Sequence, residues 1–304
     1  MNKITVIGVG NLGSCVAYEI ANRGLAEELV LVDVYRELAE GNAADIEQSL
    51  AFRNNVKVFP GDYSDADGSD VIVVTAGKPR TPDVKSRMEL LDVNRRIIKD
   101  VASNLRKIKG DFVIITLTNP VDIMNFLMWK YTGFDRSKVI GSAGMLDSSR
   151  FRGALSKKFN VPVLDVNAYV IGEHGENQVP VFSRVKVRGK KKTFTAKEQD
   201  EIMNELRNSA LNVISKKGAT IFAPSNNTAN LVQAVIRNED RMLICSAILK
   251  GEYRTKDVSI GVPVIIGRCG VEKILEWELK DKEEKAFLKG AEEIKKATAE
   301  LSNS

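Results

Sequence analysis

Apolar residues recur in two rhythms along this chain. ITVIGV (4–9), ELVLVD (28–33), DVIVVTAG (70–77) and DFVIITLTN (111–119) are short, β-branched runs, the pattern of strands buried on both faces. Between them the spacing is helical. Residues 11–23 carry apolar side chains at 12, 16, 20 and 21, and RELAEGNAADIEQSL (36–50) sets Leu38, Ile46 and Leu50 along one face. MELLDVNRRIIKDVASNL (88–105) and VDIMNFLMWKY (121–131) predict two more helices. Strands alternating with helices predict an α/β fold: a Rossmann-type, doubly wound parallel sheet covered on both faces.

After about residue 142 the rhythm changes. VNAYVIG (166–172), VPVFSRVKV (179–187), MLICSAIL (242–249) and VSIGVPVII (258–266) predict strands at uneven intervals. TAKE at 195–198 is a capping box, opening a helix with Ile202, Leu206 and Val213 on one face. A last helix starts near Asp281, has Glu284 three residues on, and is expected to bury Phe287, Ala291 and Ile294. No low-complexity linker divides the halves. The expected organisation is a dinucleotide-binding domain over 1–142 and an α+β substrate-binding and catalytic domain over 143–304, packed together.

Composition narrows the function class. The chain has 304 residues, 28% of them charged and 43% hydrophobic, with a formal net charge of +5, the balance of a soluble globular protein. That charge favours small anionic ligands by steering and does not by itself argue for nucleic acid. The dense basic run KVRGKKK (186–192) reads as a solvated hairpin turn. Three cysteines, Cys15, Cys245 and Cys269, without paired short spacings argue against a disulfide framework or a zinc site. The N-terminal apolar run is too short for a membrane span and has no signal-peptide cleavage pattern. A cytoplasmic protein with no metal and no membrane or nucleic-acid partner is expected.

VIGVGNLGS places Gly8, Gly10 and Gly13 after a strand and at the opening of a helix. The first permits a tight turn, the second lets backbone approach a pyrophosphate, and the third lets helix and strand pack closely. The helix N-terminus then offers free N–H groups to the anion. Asp33, twenty residues beyond Gly13, is placed to accept both ribose hydroxyls. An acid there repels a 2′-phosphate, so NAD is expected over NADP, although Arg36 lies close enough to blur the preference.

VIGEHGEN (170–177) holds the only histidine, His174. Histidine alone has an unperturbed pKa that lets it gain or lose a proton near neutrality. Arg80 and Arg87 lie in KPRTPDVKSR, a loop expected over the carboxyl ends of the strands, where ligands bind in such sheets. Arg150 follows Asp147 by three residues, one helical face, and Asn119 ends a strand at the same sheet edge. Singly, each reads equally well as a surface charge or a cap. With His174 they form a coherent set.

The chain resembles the lactate/malate dehydrogenase family over essentially its whole length. The matching motifs are GVGNLG (8–13), TAG (75–77), R-x6-R (80–87), TNPVD (118–122), LDSSR (146–150) and IGEHGE (171–176), in order and at family spacing. The resemblance implies roles. His174 exchanges the hydroxyl proton as hydride moves, and Asp147 orients its ring. Arg150 clamps the substrate's 1-carboxylate, Arg87 polarises the carbonyl on loop closure, and Asn119 bonds the substrate oxygen. Thr220 matches a position beside substrate and cofactor. Gly8, Gly10, Asn11, Leu12, Gly13, Asp33, Thr75, Ala76, Gly77, Asn94, Leu117 and Asn119 would line the NAD site.

Arg80 matches the position that meets the substrate's third carbon. Malate-specific members carry arginine there and lactate-specific members typically glutamine, so the resemblance implies oxidation of malate to oxaloacetate, with lactate or another 2-hydroxy acid as the alternative. It also implies a homotetramer or dimer. Departures are a loop one residue longer than usual between Arg80 and Arg87, Asp83 where glycine is common, Glu176 in place of aspartate, and Pro224 in place of isoleucine. An NAD- and metal-dependent glycosidase would need cysteine and histidine ligands that the lone histidine cannot supply. A decayed NAD-binding regulator fits poorly with a complete set of Asn119, Asp147, Arg150 and His174.

Overall fold

A computed structural model describes residues 2–78 and 87–302. Arg80 and Asp83 fall outside the described residues, and of Arg87 only the backbone is described. The chain runs β1 (Lys3–Ile7), α1 (Asn11–Asn22), β2 (Glu28–Val32), α2 (Arg36–Leu50), β3 (Lys57–Pro60), β4 (Val71–Val74), α3 (Arg87–Leu105), β5 (Val113–Thr116), α4 (Val121–Thr132) and β6 (Val139–Gly141). It continues with α5 (Gly144–Phe159), β7 (Val166–Asn167), β8 (Val170–Gly172), β9 (Gln178–Pro180), β10 (Lys186–Val187), β11 (Lys190–Lys191), α6 (Ala196–Lys217) and α7 (Phe222–Ile236). Strands β12 (Arg241–Lys250), β13 (Lys256–Gly267) and β14 (Gly270–Ile274) precede the last helix, α8 (Asp281–Ser302).

The first six strands are parallel in the order β3-β2-β1-β4-β5-β6, so the strand order reverses between β1 and β4. Ligands bind at such a reversal, in the crevice at the strands' carboxyl ends. Strands β4 and β5 are buried at every position, which is why they read as unbroken apolar runs. The sheet does not stop at β6. Gly141 pairs with Ser246 of β12, and the order continues β12-β13-β8-β9 in antiparallel pairs, so one sheet crosses both halves.

Two expected strands are each divided. Residues 166–172 break into β7, which pairs with β10 in a small separate sheet, and β8, which pairs with β13 in the large one. Residues 179–187 break likewise, with a 3₁₀ turn at Phe182–Arg184 between β9 and β10. In both cases the chain changes sheet, and an apolar count along one strand does not register that. The capping box is present, with Glu198 N–H donating to Thr195 Oγ1 and Thr195 N–H donating to Glu198 Oε2. Ile202 and Leu206 of that helix are buried, but Val213 is 37% exposed because the second half of α6 runs out over solvent. Phe287, Ala291 and Ile294 of α8 are buried, as are Ile46 and Leu50 of α2. Among the described residues no helix is long and apolar enough to cross a membrane.

Candidate active site

The glycine turn is shaped by collision rather than by flexibility alone. Gly8 has φ +87°, and a Cβ there would lie 2.5 Å from the amide nitrogen of Ala76. A Cβ on Gly13 would run into the Gly8 carbonyl, so this residue lets α1 close onto β1. Around Gly10, in contrast, nothing of the protein comes within 4 Å, and the residue is exposed at the N-cap of α1 with no side chain capping the helix. That open space beside free first-turn N–H groups fits an approaching pyrophosphate.

Asp33, just past β2, accepts the N–H of Val9 at 2.7 Å and the N–H of Tyr35 at 3.0 Å. A carboxylate offers about four acceptor positions, so two remain for a ribose diol. Arg36 is exposed and paired with Glu40 and Asp62. The donor set thus fits a dinucleotide with unmodified ribose. Asn11 is exposed and Leu12 half-buried at the start of α1.

A relay of short contacts leads from this turn toward His174. Thr75 Oγ1 donates to the Gly8 carbonyl, and Thr118 Oγ1 donates to the Ala76 carbonyl at 2.6 Å. Gly77 is exposed beside Thr118 and Asn94. Asn94 is buried, accepts the Lys78 N–H at 2.7 Å and donates to the Asn119 carbonyl at 2.8 Å. Its amide therefore joins two loops of the site. Leu117 has a buried side chain, while Asn119 is exposed and precedes a cis peptide to Pro120.

Pro120 and His174 line the same cavity of about 250 Å³, together with Asp122 and residues of α8. His174 sits in the turn between β8 and β9, and three elements fasten that turn. From α5, Asp147 Oδ2 lies 2.6 Å from His174 Nδ1. From α4, Asp122 accepts the His174 N–H at 2.7 Å. From α8, Glu293 accepts from Asn177, which also donates to Glu173.

Asp147 is 4% exposed and also receives Arg150 Nη1 at 3.1 Å. The two meet because positions three apart share a helix face. Burial works most strongly against a charged His174, yet Asp147, by charge and hydrogen bond, and Asp122 outweigh it, and the imidazole pKa is raised. Arg150 opposes them only weakly.

Thr220 is half-buried in the turn before α7. The sequence pattern hides that helix, because FAPSNNTANLVQAVI carries a proline and paired asparagines in its first turns. Its Thr228 meets Ser142, at the end of β6, at 2.9 Å. Asp122 and Ser246 also belong to the site without standing out as a motif of their own. The signal for Asp122 was a lone carboxylate in the apolar helix VDIMNFLMW. Among the described residues no group of three or more His, Cys, Asp or Glu is arranged to hold a metal ion.

Comparison with known proteins agrees across the chain. The lactate/malate dehydrogenase NAD-binding domain matches residues 2–141, and the lactate/malate dehydrogenase alpha/beta C-terminal domain matches residues 144–303. A malate dehydrogenase of Halobacterium salinarum is 43% identical over 297 residues, 97% of each chain. L-lactate dehydrogenase 1 of Clostridium acetobutylicum is 37% identical over 304 residues, again 97% of each. The crystal structure of the Cryptosporidium parvum lactate dehydrogenase, complexed with lactic acid and nicotinamide adenine dinucleotide, is similar at a TM-score of 0.94 and 36% identity, covering 100% of this chain and 98% of that one.

Proposed function

The chain belongs to the lactate/malate dehydrogenase family of oxidoreductases, and on that premise we propose that it is an NAD-dependent malate dehydrogenase, interconverting (S)-malate and oxaloacetate. One observation carries the reading: a single buried carboxylate, Asp147, grips both the imidazole of His174 and the guanidinium of Arg150. Proton carrier and carboxylate binder are thereby held side by side.

In neutral His174 the Nδ1–H donates to Asp147, which leaves the Nε2 lone pair to take the proton of a substrate hydroxyl. Asp147 then stabilises the imidazolium. Arg150 keeps further N–H groups for the 1-carboxylate of a 2-hydroxy acid, a planar fork suited to that anion. Bound NAD supplies the hydride acceptor for the carbon bearing that hydroxyl. Arg87 polarises the carbonyl as negative charge develops there, and Asn119 and Thr220 complete the substrate pocket.

Malate is favoured over lactate for two reasons. Arg80 brings a cation that matches a second carboxylate and that a methyl group would leave unpaired. The relatives at 43% identity are named malate dehydrogenases, against 37% for the lactate enzyme named above. Self-association into a dimer or tetramer is part of the same reading, supported by the exposed apolar side chains Leu211, Ile214 and Phe222 on and after α6. So is work in the cytoplasm on a small dicarboxylate, without nucleic-acid or membrane partners. The test is steady-state NADH oxidation with oxaloacetate and with pyruvate, repeated with NADPH. Preference for oxaloacetate and NADH is expected, and preference for pyruvate would replace malate by lactate without altering the roles of His174, Asp147 and Arg150.

A further inference from the structure

Asp122 is a carboxylate with no task in the chemistry above. It occupies the second position of α4, where every residue from Val121 to Met128 is buried, and is itself 3% exposed. A carboxylate at that depth is costly unless its lone pairs are engaged. They are engaged from two sides. His174 donates its main-chain N–H to Oδ2 at 2.7 Å, and Ser246 on β12 donates its hydroxyl to Oδ1 at 2.5 Å. Ser246 lies 2.8 Å from the hydroxyl of Ser259 on β13, which accepts from Asn125 at 2.9 Å. One carboxylate thus gathers α4, the two longest strands and the histidine turn.

We propose that Asp122 is a positioning residue for His174, anchoring the main chain of the histidine turn while Asp147 orients the ring. This rests on His174 being the proton carrier. The imidazole is then bracketed by two buried carboxylates, one acting on Nδ1 and the other through the amide and by its charge. Other charges near the turn are Asp147 and Arg150 on α5, Glu173 beside it, and Glu293, Lys296 and Glu300 of α8 across the cavity.

Burial pushes the Asp122 carboxyl up to about 6, with the Ser246 hydroxyl and the His174 amide pulling the other way. Its charge, and with it part of the support for the imidazolium, is therefore lost as pH falls through that value. Because the folded value lies above the ordinary one, the ionised form is a cost to folding that is present above about 6 and disappears below the unfolded carboxyl range.

His174 is the only histidine, so its ring Cε1–H resonance needs no assignment, and titration by NMR requires neither substrate nor turnover. In Asp122→Asn, which keeps the shape and removes the charge, the His174 midpoint should fall by roughly half a pH unit or more. The kcat of the same variant should fall by about tenfold or more, with KM changed less, as expected of a misplaced reacting group. Ser246→Ala keeps the carboxylate but removes a donor to it. It should shift the midpoint in the same direction by less, and it stands in if Asp122→Asn fails to fold. An unchanged midpoint and unchanged kcat overturn the proposal. If the wild-type protein turned over no 2-hydroxy acid, the dehydrogenase reading would fall, while a shifted midpoint would still support the anchoring of His174 by Asp122.

Discussion

Asp147 Oδ2 and His174 Nδ1 lie 2.6 Å apart, and Arg150, one turn further along the same helix, donates to the other oxygen of that carboxylate. The pair fixes which imidazole nitrogen is left for the substrate. Asp147→Asn should leave the fold intact but present the ring in a mixture of tautomers. A fall in kcat of about a hundredfold or more is expected, the range of general acid–base catalysis, and a loss below threefold measured by NADH absorbance would contradict the assignment.

Because His174 gives a proton in one direction and takes it in the other, the two directions have opposite pH dependence, and its raised pKa sets where they turn. Reduction of the oxo acid needs the imidazolium and should decline as pH rises through the His174 value, above the ordinary 6.5. Oxidation of the hydroxy acid needs the neutral ring and should rise through the same value. Stability follows with a definite sign. The folded pKa exceeds the unfolded one, so this contribution is full below the unfolded value and is lost as pH climbs through the folded one. Paired kcat/KM profiles in both directions, with thermal melts at each pH, check both statements.

Substrate choice should turn on one guanidinium. In Arg80→Gln, oxaloacetate reduction should fall at least about tenfold relative to pyruvate reduction, since an unpaired charge in a closed pocket costs about 3–5 kcal/mol. An unchanged ratio of the two kcat/KM values would remove Arg80 from the pocket.

Two glycines of the turn should behave differently. Gly13→Ala drives a methyl into the Gly8 carbonyl and should destabilise the protein by about 1–3 kcal/mol, as overpacking does, which lowers Tm. Gly10→Ala meets nothing within 4 Å and has φ −65°, so Tm should hold. NADH affinity should nevertheless fall, because the methyl occupies the space that the pyrophosphate needs. Equal effects of the two substitutions on Tm would count against this division of roles.

Much of the nucleotide half was legible because β1, β2, β4 and β5 are apolar runs buried on both faces. Strand β3, with Lys57 exposed and Phe59 and Pro60 half-buried, and the three-residue β6 carry no such run. ELVLVD and DVIVVTAG announce themselves without tertiary information, and Gly8, Gly10 and Gly13 fall where a strand gives way to a helix. The second half was harder for physical reasons. VNAYVIG reads as one strand, yet its two ends serve different sheets. FAPSNNTANLVQAVI hides a helix because it packs through small residues, Ala229 and Ala234, beside Leu231, Val232 and Val235, and against α1. Val213 kept the helical spacing of Ile202 and Leu206 but not their burial, since spacing locates a face and not what covers it. In the site, His174, Asp147 and Arg150 stand out by motif, and the structure brings His174 and Arg150 each onto Asp147. Asp122 shows in the sequence only as a lone carboxylate in an apolar helix. Its two partners, the His174 amide and the Ser246 hydroxyl, lie 52 and 124 residues away, a distance that no local pattern spans.

The Gly141–Ser246 pairing makes the last parallel strand a seam rather than a border. If the chain were severed after β6, that short strand would lose its pairing with Ser246 and become the edge of its sheet, and β12 would become an edge on the other fragment. Open edges of this kind pair with whatever chain they meet. A nucleotide-binding fragment ending near residue 141 is therefore expected to aggregate instead of serving as a portable module, which light scattering of the isolated fragment checks.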